Sequence, residues 1–425
     1  MRPAIPRSNI PAGLSAATPR PTTPRPLYGR TILQIIPELE AGGAERTTVD
    51  IAAGLAGAGA RALVATEGGR LVGELQANGG IWIPFPARSK NPVAMAFNAR
   101  RLIRLCRQEG IELLHARSRA PAWVALTAAR ALGLPFVTTY HGSYSGKSAV
   151  KVLYNSVMAR GDVVIANSRY TAGLIEAAHP FAAGRVKVIH RGTDLTRYRP
   201  DRVAPERVEA LRRQWGVAPH QRVVLLAARL TGWKGQRVLI EAAHLLQDDA
   251  PHGGTAADVV FVLAGDPQGR DGYVRQLDKD IDRFGLRDVV RRVGHCADMP
   301  AAFQAAAVVV VPSTEPEAFG RVAVEAQAMG APVIVSDLGA VPETVLSPPD
   351  VAARQRTGWR VPAGEAPPLA AAIAEVLALG ASARQALTDR ARGHVEAHFS
   401  LEYMVNETLA VYASLLDGPR PALPR

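Results

Sequence analysis

The 425-residue sequence predicts an α/β protein of two doubly wound, Rossmann-like domains whose parallel sheets face a central cleft. Three observations carry that expectation. The chain is too long for one ordinary core and suits two units of about 170–200 residues each. Short β-branched or apolar runs alternate with longer amphipathic or Ala-rich ones, which is the rhythm of βαβ units. That rhythm pauses at a polar stretch, Arg197 to Gln221, which carries Pro200, Pro205 and Pro219, and then starts again.

Residues 1–28 are rich in Pro, Arg, Ser and Thr without a hydrophobic central stretch, so they read as a disordered arm and not as a signal peptide. A first domain, 29–196, is expected to hold strands near 31–36, 61–66, 112–115, 135–139, 162–166 and 186–189. Its helices include 44–58, 93–109 and 120–132. A second domain, 197–398, opens with the polar connection, which has room for at most one short helix. Strands follow near 222–228, 258–264, 289–293, 307–312 and 332–336, with helices near 236–247, 271–284, 321–329 and 367–379. The last helical stretch, 381–416, is interrupted near His398–Ser400. Its final part, 399–417, is expected to pack back toward the first domain, and 418–425 to be a flexible tail.

Composition narrows the class. With 48% hydrophobic and 21% charged residues the chain reads as a soluble globular protein. Cys106 and Cys296 stand far apart in no metal-ligand spacing, which argues against a disulfide framework and for a reducing, cytoplasmic setting. No apolar run reaches the roughly 18 residues that a spanning helix needs. The net charge of +12 is unevenly spread. Residues 1–30 carry five arginines and no acid, residues 31–194 hold 19 Lys+Arg against 11 Asp+Glu, and residues 195–417 hold 24 against 27. A basic first half suits an anionic partner such as a membrane surface or a phosphorylated glycolipid. A generally arginine-rich composition would look the same. Nucleic acid is the partner least suited, because the arginines are not interleaved with aromatics and no binding motif appears.

The strongest chemical signal runs from Val308 to Glu325. An all-valine strand enters a Pro/Gly loop, and a helix is expected to start near Gly320 and stop at Gly330. Free backbone N–H groups around Phe319 to Val322 would form an anion site, reinforced by the helix dipole. Glu317 lies just before that helix and Glu325 about one turn inside it. Two carboxylates would repel a phosphate bound between them, so their natural partners are hydroxyls on either side of it. A nucleoside diphosphate sugar has that layout. The plainer alternative makes Glu317 a turn residue and Glu325 a solvated helix residue. Against it stands Arg229-Leu-Thr-Gly-Trp-Lys-Gly235, a strand–loop–helix in which Arg229 and Lys234 can converge on one point in the cleft. Two cations there could neutralise a diphosphate leaving group without a metal.

From about Thr31 to Phe399 the sequence resembles the retaining glycosyltransferases of family 4, which have the GT-B architecture. The resemblance rests on Arg229 with Lys234, and on Glu317 with Glu325 in Glu-x7-Glu spacing. Gly42-Gly43-Ala-Glu45, Thr139-Tyr-His-Gly142, Ile165-Ala-Asn-Ser168, Val188 to Asp194 and Leu263-Ala-Gly-Asp266 support it. It implies that Glu325 holds the ribose, Glu317 the donor sugar, and Arg229 with Lys234 the diphosphate. It also implies that backbone near Phe319–Arg321 contacts the donor sugar, that Ala318, Gly320 and Val322 belong to the donor site, and that His295 stands in a loop near the base. His141 matches the cleft histidine expected to touch donor or acceptor sugar, and Gly42 and Gly43 would let a substrate approach the backbone. Pro267 after Asp266 departs from the family pattern, and the Pro/Arg arm has no counterpart in it.

The resemblance implies a UDP- or GDP-linked hexose donor, a glycan or glycolipid acceptor, retention of anomeric configuration and no cofactor. A setting at the inner face of a membrane, in lipopolysaccharide or other surface-glycan synthesis, follows from charge and family together. An epimerase, a phosphorylase or a non-catalytic nucleotide-sugar binder on the same fold are the alternatives. His115, Arg117 and Ser118, after a predicted strand, are candidates for the acceptor side, with a helix-start role as the alternative. Asp278-Lys-Asp280-Ile-Asp282 imitates the Asp-x-Asp of metal-dependent transferases but falls in a predicted helix, where residues two apart face different ways. It is expected to be an inert surface run. The stripe Arg100, Arg101, Arg104, Arg107 is either a solvated helix face or a membrane contact.

Overall fold

A computed structural model of the protein describes residues 27–40, 42–142, 148–248 and 258–417. The expected arm, apart from Leu27 and Tyr28, and the expected tail lie outside the described residues. Two parallel sheets carry the architecture. The first contains β1 (Thr31–Ile35), β2 (Arg61–Thr66), β3 (Ile81–Pro84), β4 (Leu113–Ala116), β5 (Phe136–Tyr140), β6 (Val163–Ala166) and β7 (Val186–Val188), in the spatial order β3-β2-β1-β4-β5-β6-β7. The second contains β8 (Arg222–Ala227), β9 (Val259–Ala264), β10 (Val290–Gly294), β11 (Ala306–Val311), β12 (Val333–Ser336) and β13 (Trp359–Val361), in the order β10-β9-β8-β11-β12-β13. Both are doubly wound, with helices on both faces.

Central strands form where the chain is apolar on both faces. Ile32, Leu33 and Ile35 of β1 are fully buried, each contributing about 1.5–3 kcal/mol by leaving water. Leu33 sits in register between Leu63 of β2 and Leu114 of β4. The edge strands β3 and β13 were not expected from the sequence. They are short: β13 is interrupted by Arg360, and β3, although apolar, is partly exposed at the sheet edge and ends in Pro84.

Strand order reverses between β1 and β4 in the first sheet and between β8 and β11 in the second. Such switch points open a crevice at the carboxyl ends of the strands. Most candidate residues follow these four strands: Gly42 and Gly43 after β1, Arg117 and Ser118 after β4, Arg229 and Lys234 after β8, Glu317 after β11. The polar connection forms one ten-residue helix, Pro205–Gln214. At the far end, the helix Ala381–His398 breaks at Phe399 and Ser400. There the Thr193 N–H donates to the Phe399 carbonyl (2.8 Å) and Leu401 N–H donates back to Thr193 (2.9 Å). The helix Leu401–Asp417 then joins the core of the first sheet, burying Met404, Leu409, Val411 and Tyr412 there. Among the described residues no single helix is long and apolar enough to cross a membrane.

Candidate active site

Two loops of the second domain are pressed together backbone to backbone. After β8, Thr231 leads into a short turn, Gly232–Lys234, closed by Gly235 at φ +74°. A side chain on Gly235 would overlap the Pro312 carbonyl, so only glycine permits this approach. The Thr314 N–H donates to Trp233 O at 2.8 Å and ties the loops further. Lys234 Nζ, 4.1 Å from the Trp233 ring centroid, therefore donates to Glu317 Oε1 at 2.6 Å. The buried Ser313 hydroxyl donates to the same oxygen at 2.6 Å. The two charged side chains are 14% and 12% exposed. Glu317 is thus a fixed acceptor and not a free turn residue. Arg229 reaches the same region from the end of β8. Gln236 holds its carbonyl at 2.9 Å, and its exposed side chain has no partner among the described residues.

Glu325 is buried, 6% exposed, inside the helix Arg321–Ala328. The solvated-helix alternative is therefore excluded. Its carboxylate accepts from Arg321 Nη2 at 2.7 Å, with the Tyr198 phenol nearby. Burial and the neighbouring carboxylate push the Tyr198 phenol up, so it stays a protonated donor. Sequence reasoning missed Tyr198, whose only signal was an aromatic in a polar connection. Gly320 starts the helix at φ +86° with no side-chain cap. Phe319 is buried against Phe399, ring centroids 5.7 Å apart, while Ala318 and Val322 are half-buried beside it. A Cβ on Gly142 would sit 3.6 Å from the Ala318 Cβ, so the two domains meet across the cleft here. His295 is exposed in the loop after β10.

On the first-domain side, a Cβ on Gly43 would lie 2.6 Å from Arg191 Nη1, so the glycine pair makes room for a guanidinium as well as for substrate. Arg191 Nη2 lies 3.3 Å from His141 Nδ1. Burial, with Arg321 and Arg117 near, draws Arg191 down to about 10. Burial and the same kind of neighbours hold His141 well below the usual histidine range.

The acceptor-side expectations need correction at His115. It lies within β4, fully buried, between Tyr412 OH (2.5 Å from Nδ1) and Thr139 Oγ1 (2.7 Å from Nε2), and does not reach the cleft. Arg117 is also buried, its Nε donating to Gln34 Oε1 at 2.7 Å. Ser118 is half-buried and precedes the helix Arg119–Leu132 without capping it through its side chain.

Two further findings were not foreseen. Glu343, in the four-residue helix Val341–Thr344, reaches across to the first domain. Its oxygens accept the Tyr170 and Arg169 backbone N–H groups, both at 2.8 Å, at the start of the helix Arg169–Ala178, and lie 2.9 Å from His190 Nε2. Burial raises this carboxyl, but His190 and the two amides more than offset it, and it sits below its ordinary value. The inert surface run also needs correction at Asp280, which is buried and accepts from Arg237 Nε (2.6 Å) and Gln276 Nε2 (3.0 Å). Asp278 and Asp282 pair separately, with Arg292 and Arg287.

Two doubly wound domains that meet at a cleft, with paired acidic and cationic side chains at the switch point of the second, form the GT-B architecture. The chain belongs to the family: the Glycosyltransferase Family 4 profile matches residues 41–197 and the Glycosyl transferases group 1 profile residues 207–394. It is 30% identical to the D-inositol 3-phosphate glycosyltransferase of Salinispora arenicola over 73% of this chain and 70% of that one. The corresponding protein of Streptomyces avermitilis is 31% identical, but the chain spans only 54% of its length. Among solved structures, a glycosyltransferase from Rickettsia africae is 29% identical with a TM-score of 0.83, over 92% of this chain and all of that one. Anabaena HepE in complex with UDP and glucose is 27% identical with a TM-score of 0.72, over 91% and 99%.

Proposed function

We propose that this chain transfers a hexose or hexose derivative from a UDP- or GDP-linked donor to a glycan or glycolipid acceptor, with retention and without a metal. The observation that carries the reading is the pre-paired Lys234–Glu317 contact beside the buried Glu325. In this reading Glu325 trades its Arg321 contact for ribose hydroxyls. Lys234 turns to the β-phosphate, and Glu317 accepts from the donor sugar. Arg229, free of protein partners among the described residues, adds a second cation to the leaving group. These charges stand in place before the bond breaks, so little reorganisation is required as charge develops on the leaving oxygen. No side chain is assigned as a covalent nucleophile; the acceptor attacks from the face the diphosphate leaves, and the diphosphate takes its proton. Relatedness to a protein solved with UDP and glucose supports the donor class.

We place this reaction at the inner face of a membrane, in lipopolysaccharide or other surface-glycan synthesis. Arg100, Arg101, Arg104 and Arg107 are exposed on the helix Pro92–Glu109, together with Val93 and Phe97, which are 65% and 62% exposed. Basic and apolar groups on one exposed helix suit an anionic lipid surface. The deciding experiment incubates the full chain with UDP- and GDP-hexoses and candidate acceptors and follows nucleotide release and product anomers by NMR. A retained glycosidic product is expected. Epimerised donor without transferred sugar would overturn the reading.

A further inference from the structure

On the first domain's side of the cleft a small cavity is lined by Thr47, Arg117, Thr139, His141, Asn167 and Arg191, among others. Three of these side chains carry buried polar atoms that have no partner among the described residues: Arg117 Nη2, His141 Nε2 and both amide atoms of Asn167. The histidine tautomer follows from its neighbour. A guanidinium can only donate, so His141 Nδ1, which faces Arg191 Nη2, is the bare nitrogen and Nε2 carries the proton. Arg117 is anchored from behind by Gln34 through Nε, which leaves Nη2 unsatisfied among the described residues. Donor groups of three residues therefore line one space, beside the Asn167 Oδ1 acceptor, and none of them has a partner among the described residues.

Charge points the same way. Neither Arg117 nor Arg191 forms an ion pair among the described residues. Asp50 and Glu45 lie near the guanidiniums and offset part of their charge from behind, but neither lines the cavity. Buried donors beside guanidiniums that form no ion pair are completed by an oxyanion. The donor diphosphate is not that group in the reading above, because its cations, Arg229 and Lys234, belong to the opposite domain.

We propose that this cavity receives a carboxylate or phosphate group carried by the acceptor, so that the enzyme glycosylates an anionic sugar. This rests on the glycosyltransferase reading of the cleft. The test uses the full chain saturated with UDP, so that the donor's own phosphate site is filled. Inorganic phosphate, glucuronate and glucose are titrated by calorimetry, and sugar phosphates, uronates and neutral sugars are compared as acceptors in turnover. Binding of phosphate or glucuronate but not glucose is expected, and whichever binds identifies the oxyanion. Asn167→Asp, near-isosteric, places a carboxylate in the cavity. It should abolish anion binding and raise KM for charged acceptors about ten- to hundredfold with a smaller change in kcat. UDP affinity in each variant reports that the fold survives, and Arg117→Met is the second probe. Anion binding that Asn167→Asp leaves intact would overturn the proposal, as would neutral sugars serving as well as charged ones. Failure to bind UDP at all would instead strike the donor reading.

Discussion

Lys234 and Glu317 stand 83 residues apart in sequence, yet Nζ and Oε1 lie 2.6 Å apart with both side chains largely shielded from solvent. Each neutralises the other. A donor whose phosphate meets the ammonium and whose hydroxyls meet the carboxylate can replace that contact without leaving either charge stranded.

Lys234→Ala should lower turnover by about two to three decades, the range for losing one pre-organised charge partner. Nucleotide affinity should fall less. Steady-state kinetics and calorimetry on the same preparation check this, and unchanged turnover would remove Lys234 from the leaving-group site.

Glu325→Gln should weaken UDP or GDP binding by about one to two decades, because a carboxylate accepting hydroxyl bonds loses its charge assistance. Tyr198→Phe should have a smaller effect, since it removes only a neutral hydroxyl near the same carboxylate. Equal nucleotide affinities across wild type and both variants would rule out the ribose role.

Glu343 links stability to pH. Its folded value lies below the ordinary 4.5, so its stabilisation is present above that pH and is lost as pH falls through the folded value. Glu343→Gln should cost about 1–3 kcal/mol at neutral pH, the size of charge-assisted hydrogen bonds lost from a buried group. Thermal melts of both proteins should converge on the acid side. Parallel curves from neutral to acid pH would refute the assignment.

Asp280→Ala should lower stability by about 1–2 kcal/mol, because it leaves Gln276 and Arg237 without their acceptor. Activity per folded molecule should survive both this substitution and EDTA. Loss of transfer in EDTA with rescue by manganese would force the donor site to be rebuilt around a metal.

Vesicle sedimentation tests the exposed arginines of the helix Pro92–Glu109. Binding to anionic vesicles should fade as salt rises and should weaken further in an Arg100→Glu, Arg104→Glu double variant. Equal binding to neutral vesicles would sink the electrostatic version.

The parts legible in the sequence were those with a local cause. The run Val308–Val311 reads as a strand because parallel strands are buried on both faces, and Glu317 and Lys234 stand out through their spacing and flanking turns. Other residues owe their roles to approaches that local pattern does not encode. Glu343 meets His190 across 153 residues, and Tyr198 meets Glu325 from the connection between domains. His115 misled for the same reason in reverse. Its place at the end of a predicted strand suggested the cleft, while Tyr412, from the last helix, keeps it inside.

That last helix also sets a timetable. Tyr412 is fully buried against His115, and Leu401–Asp417 supplies part of the wall of the first sheet. The ribosome makes β1 to β7 some two hundred residues before that wall exists. The first half therefore emerges with an open seam that must wait for nearly the whole polypeptide to be made. Residues 29–196 produced alone should be poorly soluble, and supplying Leu401–Asp417 as a separate peptide should rescue them.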